Sequence, residues 1–340
     1  MYSESDLDAA VTAGAISPAA AESLRAHVAA QRNTPAVDEE SFRLLTGFND
    51  IFVAVALALL LAAIGQIGAA ITPAMGGAGV AVAAWLLAEY FTKRRRMALP
   101  SILLLGAFVG GVVATPIGAL VALEPNYGDR VNALILAGVG LTGVAAAWAH
   151  WRRFMVPITV AAGALALTGA GVGAAFAIWP GLDDAALPLV LAAGLATFAL
   201  AMRWDMSDRA RTTRASDVAF WLHLAAAPLI AHPIFNMLGV FEGPVGPAIA
   251  ALVLALYLGF AVVALAVDRR ALLVSSLAYV LFALYELFRS AGAVELGTAF
   301  TGLIIGSALL TLSAFWQPMR RRVVTMLGEG MAMRLPPAVA

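Results

Sequence analysis

Six side chains able to do polar chemistry lie in otherwise apolar stretches: Asp217, Trp221, His223, His232, Tyr285 and Glu286. Histidine titrates near neutral pH and can bind or relay a proton, and a carboxylate in an apolar span can bind a cation or a proton. Such groups suit the capture of a small solute better than covalent catalysis. The first four fall in one stretch, Asp217 to Leu238, which also holds Pro228, Pro233 and Asn236. At about 100° per residue, Asp217, Trp221, Pro228 and His232 share one helical face, with Phe235 alongside and His223 nearly opposite. The prolines free backbone carbonyls near residues 224 and 229, which need partners inside a membrane. A bent helix carrying an imidazole at mid-depth is the expected substrate or proton site. The plainer role for either histidine is to satisfy those carbonyls. Glu286 and Arg289, three residues apart, can pair on one face near a helix end, or Glu286 can gate a cation. Glu89 is placed to pair with Lys93, and Asp50 to favour the positive end of its helix.

No other chemistry is spelled out. The four histidines (His27, His150, His223, His232) form no His-x-x-x-His pair, and no carboxylate has zinc-ligand spacing. No serine has a nucleophile-elbow surround, and no phosphate-binding loop ends in Gly-Lys-Ser/Thr. With no cysteine there is no thiolate, disulfide or iron–sulfur ligand. No catalytic residue, metal or cofactor is therefore expected. Gly138-Val139-Gly140-Leu141-Thr142-Gly143 spells a dinucleotide fingerprint, but no strand precedes it. Close helix packing is the expected use of these glycines, and of Gly106/Gly110, Gly169/Gly173 and Gly302/Gly306.

The elements that must position these residues are written in the charge pattern. Hydrophobic residues make up 62% of the chain and charged ones 12%, against about 25% charged in soluble domains. With 340 residues there is room for about ten spans, placed near 50–72, 74–91, 97–122, 131–151, 154–179, 186–204, 218–238, 247–267, 271–289 and 297–316. Of 21 Lys and Arg, all but Arg130 and Arg289 fall in alternate gaps. The basic turns are Lys93-Arg94-Arg95-Arg96, Arg152-Arg153, Arg203 to Arg214 and Arg269-Arg270. The opposite gaps hold Glu124, Asp129, Asp183, Asp184, Glu242 and Glu295. That sidedness predicts an all-α, polytopic transmembrane bundle with both termini cytoplasmic. It gives no support for nucleic-acid binding. The bilayer is the expected partner, with anionic headgroups a further one at the arginine-rich turns. Trp148, Trp151, Trp204, Trp221 and Trp316 fall near the proposed interfaces. The even spacing of Arg96, Arg153, Arg211 and Arg270 fits a repeated helical hairpin, and equally a run of hairpins with minimal loops in one bilayer.

Residues 1–47 are expected to form a small cytoplasmic hairpin and linker, residues 48–317 the membrane domain, and residues 318–340 a cytoplasmic tail. Ser5 is placed to cap a first helix, Gly14 to end it, and Ser17-Pro18 to open a second. Leu7, Val11, Ile16, Leu24 and Val28 are its candidate core, and Asn33 to Glu40 a linker. Without an n-region and h-region, insertion is expected to rely on the spans themselves. The opening from Leu7 to Gly14-Ala15-Ile16-Ser17, then a short helix and many apolar spans, resembles a family of uncharacterised bacterial multi-pass membrane proteins. In that family a helical hairpin with a Gly-x-Ile-Ser/Thr turn precedes the membrane region. The resemblance implies a bacterial inner-membrane location and supplies no site residues.

Two functions remain open at this point. One is transport or sensing of a small solute, with His232 as the proton-sensitive or substrate-binding group. Asp217 and Trp221 would line the cytoplasmic approach, and Tyr285 with Glu286 the outer side. The other is a non-transporting scaffold or regulatory protein acting through its hairpin and basic loops.

Overall fold

A computed structural model describes residues 4–32, 48–123, 127–179, 181–182, 185–209, 211, 213–241, 246–290, 297–333 and 335–336. The linker residues Asn33 to Glu40, the acidic residues Glu124, Asp183, Asp184, Glu242 and Glu295, and the side chain of Val28 lie outside the described residues. Contacts divide the chain into two units, residues 1–43 and 44–340.

In the first unit, α1 (Glu4–Thr12) and α2 (Pro18–Arg32) form a hairpin. Gly14 turns the chain at φ +72°, a conformation that glycine adopts without a Cβ penalty. Ser17 Oγ accepts from the Ala20 amide and opens α2 with Pro18 at its first position. Helix α1 begins at Glu4, so Ser5 lies inside it rather than capping it. Leu7, Val11 and Ile16 are half-buried and Leu24 is exposed, while Arg25 bridges to Asp8 at 2.9 Å.

The second unit is an all-α, polytopic helical bundle, and no strand occurs among the described residues. In order come α3 (Phe48–Ile71), α4 (Pro73–Ala88) running into a π-helical turn (Glu89–Arg94), α5 (Ala98–Leu123), α6 (Asp129–Phe154) and α7 (Ile158–Ile178). Then follow α8 (Ala186–Ser207), α9 (Arg214–Met237), α10 (Pro247–Val267), α11 (Ala271–Ser290), α12 (Gly297–Ala314), α13 (Trp316–Met326) and α14 (Glu329–Ala332). Nine helices among the described residues are long and apolar enough to cross a membrane, and α12 with α13 makes a tenth if that bent pair is one span. The pair bends by 75°. Pro318 has no N–H for the carbonyl of Ala314, which breaks the ladder there. These features make the chain an integral, multi-pass membrane protein.

Four tight hairpins share the basic end: α4–α5, α6–α7, α8–α9 and α10–α11. Among the described residues each turn contains one non-glycine residue in the left-handed region, namely Arg96, Met155, Arg211 and Asp268. Within the first two turns of each returning helix sits a buried hydroxyl: Ser101, Thr159, Ser216 and Ser276. Ser101, Ser216 and Ser276 donate to backbone carbonyls three or four residues back, which satisfies the hydroxyl locally.

The helices of the first half meet at glycines. A Cβ on Gly77 would lie 2.7 Å from the Thr115 amide nitrogen, and one on Gly140 2.5 Å from that of Ala170. The glycine seams expected from four-residue spacing are only partly used. Gly173 touches α6, but a Cβ on Gly106, Gly110, Gly138, Gly169, Gly302 or Gly306 would meet nothing within 4 Å. On α5 the contact runs instead through Gly111 and Gly118, on a neighbouring face.

Candidate functional site

Helix α9 is the interior element of the second half. In its most apolar window 56% of residues are buried, against 17–22% in each of the six preceding spans. Thr213 caps it, with its Oγ1 accepting from the Ala215 amide. Asp208 then accepts from both the Thr213 amide (2.8 Å) and hydroxyl (2.7 Å), fixing where the helix begins.

Around this helix start lies a buried ionic network. Arg269, in the α10–α11 turn, forks onto Asp205 of α8, with Nη2 donating to Oδ1 at 2.6 Å and Nε to Oδ2 at 3.3 Å. The same Nη2 donates to the Ser216 carbonyl at 3.2 Å, joining α8, α9 and the turn. His223 packs against this pair. Its Nδ1 is 2.8 Å from the Ala219 carbonyl and 3.6 Å from Asp205 Oδ2, and its ring meets Phe198 edge-on. Its Nε2 is buried without a hydrogen-bond partner.

Next to it, Asp268 gathers three donors. Arg211 Nη1 donates to it at 3.0 Å, Trp316 Nε1 donates at 2.8 Å, and Arg320 Nε stands 3.4 Å away. Arg211 Nη2 also donates to the Val267 and Asp268 carbonyls at the C-terminus of α10, where a cation is favourable. Arg320, fully buried, donates from Nη2 to the Pro336 carbonyl. Arg270 lies over the Trp316 ring at 4.7 Å. The described residues from 318 to 336 thus form more than a free tail. Arg209 holds the Leu335 carbonyl, and Val324 and Leu335 pack on Ala266 and Val267.

Of the six residues singled out from sequence, four lie on two faces of α9 and two, Tyr285 and Glu286, on α11. Asp217, Pro228 and His232 are exposed and Trp221 half-buried on one face of α9; His223 points into the core. Trp221 packs in an apolar cluster with Val218, Leu222 and Trp204. The imidazole nearest mid-helix is His223. His232 lies about a turn and a half from the C-terminal end of α9, which runs on to Met237. His232 Nδ1 shares a 3.0 Å hydrogen bond with the Tyr279 hydroxyl, and Tyr279 stacks on Phe235 at 4.8 Å. Tyr285 is half-buried, and Glu286 pairs with Arg289 at 2.7 Å. The structure therefore joins His232 to Tyr279 and His223 to Asp205. It does not join the two histidines.

Glu89 pairs with Lys93 as expected, at 3.9 Å, but its closer partner is Arg153, at 2.6 and 2.7 Å, because the α6–α7 hairpin brings a guanidinium fork alongside. Trp316 is buried on Asp268 and is not an interfacial belt residue. The sequence reading missed Asp205, Asp208, Asp268, Arg269 and Arg320 as a site, having counted the arginines as topology markers. The usable signal was the presence of three aspartates inside basic segments.

In the first half His150 is also fully buried. Its Nδ1 is 3.2 Å from the Thr159 hydroxyl, and Trp85, Phe108 and Phe154 surround the ring. An open apolar groove of about 380 Å³ runs between α3, α4 and α5, past Gly65, Gly76 and Gly110. Among the described residues, no three His, Asp or Glu are grouped to hold a metal ion. Compared with family models, curated proteins and solved structures, the chain matches none.

Proposed function

We propose that this protein transports or senses a small solute in a bacterial inner membrane, with α9 as its working helix and both termini cytoplasmic. One observation carries the reading: the most enclosed of the first seven spans is also the one with two prolines, two histidines and an aspartate. Ionisable groups inside membrane spans are costly and mark substrate or proton routes. Asp205, His223 and Arg269 supply a polar station near the basic end of α9; His232 with Tyr279 supplies a second toward the other end. Asp217 lies on the approach from the basic side, with Trp221 packed one turn along. Glu286 and Tyr285 stand toward the far end of α11. The basic turns lying at one end of the bundle support that orientation.

The competing role is a non-transporting scaffold or regulatory protein acting through its hairpin and arginine-rich turns. The close glycine contacts of the first half, which leave no room for a Cβ at Gly77 or Gly140, favour it.

Single-cysteine labelling separates the two, since the chain has no native cysteine. Ala231 and Ala283 are buried in the core around α9 and α11. For a transporter, Ala231→Cys or Ala283→Cys reacts with a membrane-impermeant reagent in proteoliposomes, and the rate changes when a transported solute is added. Complete protection at both positions across pH 5 to 8, the range of imidazole titration, would favour the scaffold.

A further inference from the structure

At the basic end of the first half, cations outnumber acids on an exposed surface. Lys93, Arg94, Arg95, Arg96, Arg152 and Arg153 are grouped with one carboxylate, Glu89. Both oxygens of Glu89 are held by the Arg153 fork, and Lys93 stays 3.9 Å away. Arg94 has no carboxylate partner among the described residues. Arg95 Nε donates to the Tyr90 hydroxyl, and Arg152 covers the exposed Trp148 ring.

Glu89, Tyr90, Lys93, Arg94 and Arg153 line, with Leu86, an open pocket of about 440 Å³. The pocket forms where α4 widens into its π-helical turn, a distortion that in proteins concentrates at functional sites. Below it, Val82 and Leu86 of α4 and Tyr90 of the turn recur every four residues and are all exposed. A charged mouth above an apolar track has the shape of one kind of ligand, an anion with a hydrocarbon tail.

We propose that the π-helical turn, with Arg153, is a headgroup site for an anionic phospholipid. Lys93 and Arg94 contact the phosphodiester, Glu89 holds Arg153 in place at the rim, and an acyl chain lies along Tyr90, Leu86 and Val82. The chemistry recognised is a phosphate oxyanion. The apolar track selects a lipid over a soluble phosphate. The site is independent of the role given to α9.

The test uses the full-length protein in neutral detergent. It is titrated with dioleoylphosphatidylglycerol, dioleoylphosphatidylcholine, glycerol 1-phosphate and inorganic phosphate, with bound lipid read by native mass spectrometry. The protein is expected to prefer the anionic lipid, and the Lys93→Ala/Arg94→Ala variant to bind it about thirtyfold more weakly, the loss expected of two interfacial cations. The control, Arg321→Ala/Arg322→Ala on the exposed face of α13, should bind as the parent does. An equal loss in both variants, or no preference over phosphatidylcholine, would overturn the site. Glycerol 1-phosphate or inorganic phosphate competing at the lipid's own affinity would overturn the lipid as its occupant.

Discussion

The two halves of the membrane unit use the same residue, arginine, for opposite purposes. In α4–α7 the guanidiniums of the basic turns face outward, and Arg153 and its partner Glu89 keep 44% and 32% of their side-chain surface exposed. In α8–α13 three of them turn inward, Arg211, Arg269 and Arg320 at 7%, 4% and 0%, while Arg203, Arg209, Arg214, Arg270, Arg321 and Arg322 stay exposed. The first half is joined by backbone approaching backbone at glycine. The second is joined by buried carboxylates: Asp205 holds the Arg269 fork, and Asp268 gathers Arg211, Trp316 and Arg320 from separate elements. A pair in water is screened and adds little. A desolvated pair is costly to form and strongly destabilising when one partner is removed. The positive-inside pattern therefore mixes two signals, residues that mark a surface and residues that lock an interior.

The largest effect should come from breaking the lock. Asp268→Ala takes the carboxylate away from buried Arg320, from Arg211 Nη1 and from the Trp316 indole. It is expected to cost about 3–5 kcal/mol in detergent unfolding, and to open the chain near Phe315 to limited proteolysis. If α13 stays protected and stability is unchanged, residues 316–336 are not held as described. A smaller loss should follow from crowding the first half. Gly140→Val drives a side chain into the α7 backbone and should cost about 1–3 kcal/mol, with α13 as protease-resistant as in the parent. The smallest belongs to its neighbour. Gly138→Ala, with open space at its Cα, should change stability by no more than about 0.5 kcal/mol. Equal losses at Gly138 and Gly140 would mean that the α6–α7 contact runs elsewhere.

Much of this architecture was legible because bilayer thickness sets one length for every span. The run near 247–267 reads as a span from composition alone, and the helix occupies those residues. Helix periodicity also placed Asp217, Trp221, Pro228 and His232 on one face of α9 with His223 opposite. Which face was buried was not legible, since hydrophobicity is nearly uniform around a helix whose outer solvent is lipid. The glycines show the same limit, as Gly106/Gly110 and Gly169/Gly173 have identical spacing, yet of the four only Gly173 meets another helix. The ionic network was hidden for a different reason. Its members lie up to 115 positions apart, from Asp205 in α8 to Arg320 in α13, and only folding brings Asp268 to Arg211. Asp205, Asp208 and Asp268 were the visible clue, since the turns at Lys93–Arg96 and Arg152–Arg153 contain no acid.

A pair of double-mutant cycles tests the contrast most directly: Asp205→Asn with Arg269→Gln in one half, Glu89→Gln with Arg153→Gln in the other. In the second half each single substitution should be severe and the double less than additive, with a coupling of roughly 2 kcal/mol that persists in high salt. In the first half the cycle should close without measurable coupling once salt is raised. Equal couplings in the two cycles, or none between Asp205 and Arg269, would contradict the division of arginines into surface and interior sets.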